Sequence, residues 1–280
     1  MQVTSSTQEL IAYRDQLSTK VALVATMGNL HSGHLALVDQ AKQFAETVVA
    51  TIFVNPMQFG ANEDLDSYPR TLEADLKALE EHGVDMVFTP DSRTMYPEGI
   101  DNHTQISVPN ISEHYCGAQR PGHFTGVATI VCKLLNMIRP HHAIFGQKDY
   151  QQLVIIKKMV NDLSIHSNIV GVPIIRDKSG LAMSSRNGYM NDSEKYQATK
   201  LYQMLVWAKE NIESGDRAYQ ALEATAMKEL NNNGFDMEYF SICENKELKA
   251  ASQSDKSLVI LAAGKMGKTR LIDNIEIKIF

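Results

Sequence analysis

The stretch "KVALVATMGNLHSGHLALVDQAKQFAETVVATIFVNP" (residues 20–56) decides the fold. "KVALVAT" (20–26) is a short apolar, β-branched run that stops at Met27-Gly28, as a buried strand does. Over 33–46, Leu35, Val38, Ala41 and Ala45 recur at helical spacing, and "TVVATIFVNP" (47–56) is a second strand closed by Pro56. Strand, helix, strand is the unit that builds a parallel sheet through right-handed crossovers.

The same alternation extends outward. Residues 71–83 read as a helix with Thr71 as N-cap, acids in the first turn and Gly83 past its end, followed by a strand at 84–90. A mostly buried helix over 123–140 ends at Pro140, and strand, helix and strand follow at 141–146, 149–163 and 167–175. This pattern predicts a Rossmann-like, doubly wound parallel sheet over residues 1–175. Beyond "RDKSGLAMSSRNGYM" (176–190) the rhythm changes. Two amphipathic helices (192–213, 216–232) precede strand-like runs at 237–243, 257–263 and 270–279, which predicts a smaller C-terminal α+β domain over 176–280.

Composition narrows the function classes. The 280 residues are 44% hydrophobic and 21% charged, with a formal net charge of -6 and no long basic run, so nothing favours a nucleic-acid partner. Cys116, Cys132 and Cys243 are odd in number and widely spaced, which argues against a disulfide framework and fits a reducing cytoplasm. "MQVTSSTQEL" (1–10) has no basic-then-apolar leader pattern, and the sequence contains no 18-residue apolar segment, so the expectation is a cytoplasmic protein off the membrane.

In a doubly wound sheet, ligands bind at the carboxyl ends of the strands, where helix N-termini attract anions. "MGNLHSGH" (27–34) occupies such a place. Gly28 and Gly33 let the backbone approach phosphates, with His31 and His34 in the first helical turn. A metal reading is weaker, because two histidines fall short of the three or four protein ligands a zinc site needs. A helix start with incidental histidines is the bland alternative. "GQKD" (146–149) marks another strand-to-helix junction on the same edge: Lys148 is a compact cation suited to phosphate oxygens, and Asp149 suits a ribose or support of Mg²⁺. A solvated Lys-Asp pair is the alternative there. In "MSSRN" (183–187), Ser184, Ser185 and Arg186 can clamp phosphates, arginine forking across two oxygens, or form only a polar turn with a surface arginine. "AAGKMGKTRLID" (262–273) carries "GKT", but Ala262 stands where a Walker glycine belongs, and a turn between two strands is the better reading. Arg120 and His123 either border the ligand cleft or serve the start of their helix.

"MGNLHSGH" resembles the HxGH signature of the nucleotidyltransferase superfamily, which cleaves ATP between its α- and β-phosphates. With "FVNPMQFG" (53–60), "RPGHFTGVATIVCKL" (120–134), "IFGQKDYQQ" (144–152) and "MSSRN" in order along the chain, the sequence resembles the pantothenate synthetase (pantoate–β-alanine ligase) family. The resemblance implies ATP-dependent condensation of (R)-pantoate with β-alanine to pantothenate, AMP and pyrophosphate, through a bound pantoyl-adenylate, in a Mg²⁺-using homodimer. It implies ATP contacts at Met27, Gly28, Asn29, Leu30, His31, Ser32, Gly33 and His34, and at Gly146, Gln147, Lys148 and Asp149. A second set comprises the Ile175 backbone at the adenine, with Met183, Ser184, Ser185 and Arg186. Gln58 and Gln152 are implied as pantoate ligands, since an amide both donates and accepts. His31, His34, Lys148 and Arg186 are the implied catalytic set, with His34 read as a hydrogen-bond donor to phosphate oxygens. A phosphate clamp on the smaller domain implies a lid that closes over ATP and shields the mixed anhydride from water. A cofactor-forming adenylyltransferase lacks a reason for Gln58 and Gln152. A non-catalytic nucleotide-binding regulator lacks one for keeping His34, Lys148 and Arg186 together, and the acidic charge and absence of an anticodon-type domain disfavour a tRNA-charging fragment.

Overall fold

The computed structural model describes residues 1–60 and 63–279. The chain forms two compact units, residues 1–147 with 152–173, and residues 148–151 with 174–280.

The larger unit is built on a six-stranded parallel sheet. In chain order its elements are β1 (Gln2–Thr4), α1 (Thr7–Gln16), β2 (Val21–Thr26), α2 (Ser32–Ala41), β3 (Thr47–Ile52), α3 (Leu72–Glu81), β4 (Met86–Phe88), α4 (Ser92–Met95), α5 (Cys116–Gln119), α6 (His123–Ile138), β5 (His142–Gly146), α7 (Tyr150–Asp162) and β6 (Asn168–Val172). Strand order is β1-β4-β3-β2-β5-β6. Every described pairing within it is parallel. Ala22, Val24, Val48, Ala50 and Val87 pack with Leu37, Val38 and Ala41 of α2 and Leu79 of α3. Val21 and Leu23, which alternate to the opposite face, are fully buried as well. Burial on both faces is why these strands read as continuous apolar runs.

The order carries the functional consequence. The chain builds outward from β2 through β3 to β4, then returns to lay β5 and β6 on the other side of β2. Neighbouring β2 and β5 therefore send their carboxyl-end loops in opposite directions, which opens the crevice where doubly wound sheets bind ligands. Residues 27–31 leave the end of β2, and Gln147 leaves the end of β5.

One local expectation holds without its usual side-chain bond, and one needs correction. Thr71 occupies the N-cap of α3 but makes no capping bond. Its hydroxyl donates instead to Asp75 at 3.1 Å. The helix expected to run to residue 46 ends at Ala41, because the amides of Gln43 and Phe44 turn back to carbonyls three residues earlier.

The smaller unit packs α8 (Asp192–Glu213) and α9 (Tyr219–Asn232) with an antiparallel sheet, β7 (Phe235–Glu244), β8 (Ser257–Met266) and β9 (Thr269–Lys278), in the order β7-β8-β9. Its core joins Ala198, Leu201, Leu205 and Ala208 of α8 to Phe240, Ile242, Leu258 and Ile260 of the sheet. The "GKT" segment is the β8–β9 hairpin turn: Met266 pairs with Thr269, and Gly267 adopts φ +57°. No helix among the described residues is long and apolar enough to cross a membrane.

One glycine ties the sheet edge to α6. A Cβ on Gly126 would lie 2.4 Å from the Met57 carbonyl oxygen and 2.6 Å from the Gln58 amide nitrogen. Gly126→Ala is expected to destabilise the protein by about 1–3 kcal/mol, the usual cost of overpacking, read as a lower urea midpoint; an unchanged midpoint would show that the 56–58 turn yields without cost.

Candidate active site

The loop after β2 takes an unusual backbone conformation, and a buried carboxylate holds it. Gly28 has φ +81° and Asn29 φ +50°, both in the left-handed region. Asp75 of α3, 3% exposed, accepts the backbone N–H of Asn29 at 2.9 Å and that of Leu30 at 2.8 Å. A Cβ on Gly28 would meet that carboxylate at 3.0 Å and Ile52 at 3.1 Å. Thr26 anchors the start of the loop, donating to the Thr51 carbonyl at 2.7 Å and accepting from the Gly28 amide at 3.2 Å.

His31 is the N-cap of α2, Ser32 and Gly33 follow, and His34 is the third residue of the helix. The Gly33 N–H donates to His31 Nδ1 at 3.1 Å, and the His31 N–H donates to His34 Nδ1 at 3.4 Å. A backbone N–H can only donate, so each Nδ1 is an acceptor and the neutral ring carries its proton on Nε2. The rings stack with centroids 4.0 Å apart and an interplanar angle of 27°. The loop thus supplies two Nε2–H donors beside the positive end of a helix, a suitable arrangement for phosphate oxygens.

Gln58 ends the single-turn 3-10 helix Pro56–Gln58, which follows β3. Its Nε2 donates to Met27 Sδ at 3.2 Å, so the structure brings Gln58 to the histidine loop. Its Oε1 accepts from Asn55 Nδ2 at 3.1 Å. His123 donates through Nδ1 to the Gln58 carbonyl at 2.8 Å and, since a guanidinium only donates, accepts through Nε2 from Arg120 at 2.9 Å. Arg120 in turn grips Glu63 with Nε, 2.7 Å, and with a second nitrogen, 2.5 Å. Arg120 and His123 therefore support the turn that carries Gln58.

At the end of β5, Gly146 pairs with Val172, and the Gln147 side chain lies against Gly171, where a Cβ would be 3.2 Å from Gln147 Cγ. Gln152 lies half-buried on α7. The remaining candidates belong to the smaller unit. There the Lys148 carbonyl accepts from Asn274 Nδ2 at 2.9 Å, and Asp149 lies in the same 3-10 turn, Gln147–Asp149. Ile175 and Met183 are joined, the Met183 amide donating to the Ile175 carbonyl at 2.9 Å. Ser184 caps the 3-10 helix Ser185–Tyr189 through the Arg186 amide at 3.3 Å. Arg176 stabilises this segment by pairing with Asp273 at 2.6 and 2.8 Å and stacking 3.7 Å from the Tyr202 ring centroid.

A family model described as pantoate–β-alanine ligase matches residues 2–276. The chain belongs to that family. It is 55% identical over 277 residues to the pantothenate synthetase of Idiomarina loihiensis, covering 99% of this chain and 98% of that one. The crystal structure of pantothenate synthetase from Thermus thermophilus superposes with a TM-score of 0.92 at 40% identity, over 98% of this chain and 99% of that one. That of the pantoate–β-alanine ligase from Francisella tularensis, complexed with beta-gamma ATP and β-alanine, gives 0.82 at 32% identity, over 98% and 97%. The enzyme is thus a pantoate–β-alanine ligase with an α/β fold.

Asp75 and Tyr96 lie outside the sequence motifs, and Asn55, inside 53–60, is not among the residues those motifs single out. In the sequence, Asp75 is only a favourable acid in the first turn of a helix. Asp75→Asn is expected to leave one of the two loop amides facing an NH₂ group. It should lower unfolding stability by about 1–3 kcal/mol, measured by urea titration; an unchanged midpoint would mean the loop does not depend on this carboxylate.

Proposed function

We propose that the enzyme condenses pantoate with β-alanine in two steps through a bound pantoyl-adenylate. In the first, a pantoate carboxylate oxygen forms a bond to the α-phosphorus of ATP, the bond from that phosphorus to the bridging oxygen breaks, and pyrophosphate leaves. In the second, the β-alanine amine attacks the acyl carbon, the bond to the phosphate oxygen breaks, AMP leaves, and the amine proton passes to solvent.

The observation that carries this reading is the polarity of the two histidines. Two anions must meet in the first step, and fixed donors aimed at the phosphate oxygens lower that barrier without reorganising. His31 and His34 meet this need as Nε2–H donors at the start of α2, with the backbone of Met27, Gly28, Asn29, Leu30, Ser32 and Gly33 lining the phosphates. Gly146, Gln147, Lys148 and Asp149 contact ATP from the end of β5, Lys148 as a point charge. Ile175 meets the adenine through its backbone. Met183, Ser184, Ser185 and Arg186 hold the β- and γ-phosphates and act as a lid over ATP. Gln58 and Gln152 bind pantoate.

Among the described residues no group of three or more His, Cys, Asp or Glu side chains forms a metal cluster. Mg²⁺ binds mainly through phosphates and water with one or two carboxylates, and Asp149 is the candidate carboxylate here. When bound, Mg²⁺ would offset the charge of the phosphates. We further propose a cytoplasmic homodimer. The described cysteines are all free, which suits a reducing compartment, and two-fold dimers are the commonest oligomers.

With ATP, Mg²⁺, pantoate and β-alanine supplied, AMP release is expected to require pantoate; AMP formed equally fast without pantoate would overturn the two-step reading. His34→Ala should slow single-turnover adenylate formation by roughly 10²-fold or more, with ATP binding much less affected, as for a lost transition-state donor. Unchanged adenylation would remove His34 from that role.

A further inference from the structure

We propose that Tyr96 is a positioning residue for the acid substrate: through Asn55 it holds Gln58 with its NH₂ group as the end available to substrate. This rests on the reading of Gln58 as a pantoate ligand. It adds which end of the amide does the binding and which side chain steadies the orientation that the backbone sets.

An amide side chain can rotate by half a turn and exchange donor for acceptor, so a glutamine facing a carboxylate needs its orientation fixed. Here the fixing starts at the backbone. Asn55, 1% exposed, accepts at Oδ1 from the Met57 N–H at 3.3 Å and donates from Nδ2 to the Gly126 carbonyl at 3.1 Å. A backbone amide cannot accept and a backbone carbonyl cannot donate, so the Asn55 amide has one allowed orientation. The Tyr96 hydroxyl, on a residue 3% exposed, donates to the same Oδ1 at 2.7 Å. That is the shortest of the bonds that hold Asn55, the Met57 bond being long.

With Asn55 fixed, its Nδ2 also donates to Gln58 Oε1 at 3.1 Å, which commits the Gln58 oxygen to the protein. The Gln58 NH₂ meets Met27 Sδ at 3.2 Å, a weak acceptor that a ligand oxygen readily replaces. Gln58 therefore approaches substrate as a donor, which matches a carboxylate or a hydroxyl lone pair and opposes a cation. Burial pushes the Tyr96 phenol up to about 12, so the hydroxyl keeps its proton across the neutral range. The ring is held independently of the hydroxyl, tilted against Phe53 at 6.3 Å and edge-on to His103 at 4.9 Å, with Lys133 Nζ 5.6 Å from its centroid.

Because that packing survives removal of one oxygen, Tyr96→Phe is a clean test. Steady-state kinetics should show the pantoate KM raised roughly five- to tenfold, the scale of one lost neutral hydrogen bond. The KM for ATP should stay near wild type, and kcat should fall by less than the pantoate KM rises. In Gln58→Ala the pantoate KM should rise, and adding Tyr96→Phe to it should raise it no further, since coupled residues are non-additive. If Gln58→Ala leaves the pantoate KM unchanged, the assignment of Gln58 itself fails. If Gln58→Ala raises it while Tyr96→Phe does not, or the two effects add, Tyr96 does not act through Gln58. A Tyr96→Phe effect confined to the melting temperature would likewise overturn the proposal.

Discussion

A backbone amide only donates and a backbone carbonyl only accepts, and the chemistry of this site depends on where those fixed polarities fall. The Gly33 and His31 amides turn the two loop imidazoles into Nε2–H donors. The Met57 amide and Gly126 carbonyl orient Asn55, and through it Gln58, so that a third side chain also ends in a donor. The Gln58 carbonyl sets the opposite tautomer on His123, whose remaining nitrogen then accepts from Arg120. Side chains whose polarity could go either way are thus settled by groups whose polarity cannot. The proposed reaction brings an acid to a polyphosphate and needs donors in place before the anions arrive, which this wiring would supply.

The sheet makes that wiring possible. The reversal of strand order beside β2 opens the crevice, and α2 begins at its edge with its amide end outward. The loop between them must turn through two left-handed residues within a few positions, a conformation that costs free energy unless held. Asp75 holds it by accepting two amides at once, so a carboxylate on the next helix sets the shape of the loop. The 3-10 turn at 56–58 depends on Gly126 in the same way, because only a residue without a Cβ lets α6 lie against it.

Much of this was legible in the sequence, for identifiable reasons. Strands buried on both faces are written as unbroken apolar runs, so β2 to β5 could be read directly, and the half-buried edge strand β6 was read from Ile169, Val170 and Val172. β1 and α1 could not: one has three residues, and the other buries only Leu10, leaving no apolar stripe to see. The histidine loop and Gln58 lie in short contiguous motifs and were visible as such. Asp75 and Tyr96 were not, since their partners lie far along the chain: 41 residues separate Tyr96 from Asn55 and 46 separate Asp75 from Asn29, while Asn55, although inside 53–60, shows its role only with Gly126, 71 residues on. Such pairs appear only once the sheet has brought its edges together.

The central claim is that backbone groups set the donor polarity of the site. The most direct measurement is the tautomeric state of the histidine rings, read by two-bond ¹H–¹⁵N correlation on protein labelled with ¹⁵N-histidine, at mildly alkaline pH and without ligands. His31 and His34 should each appear as the Nε2–H tautomer and His123 as the Nδ1–H tautomer. An Nδ1–H signal from either loop histidine would contradict the account, because the helix start would then present an acceptor where the phosphates require a donor.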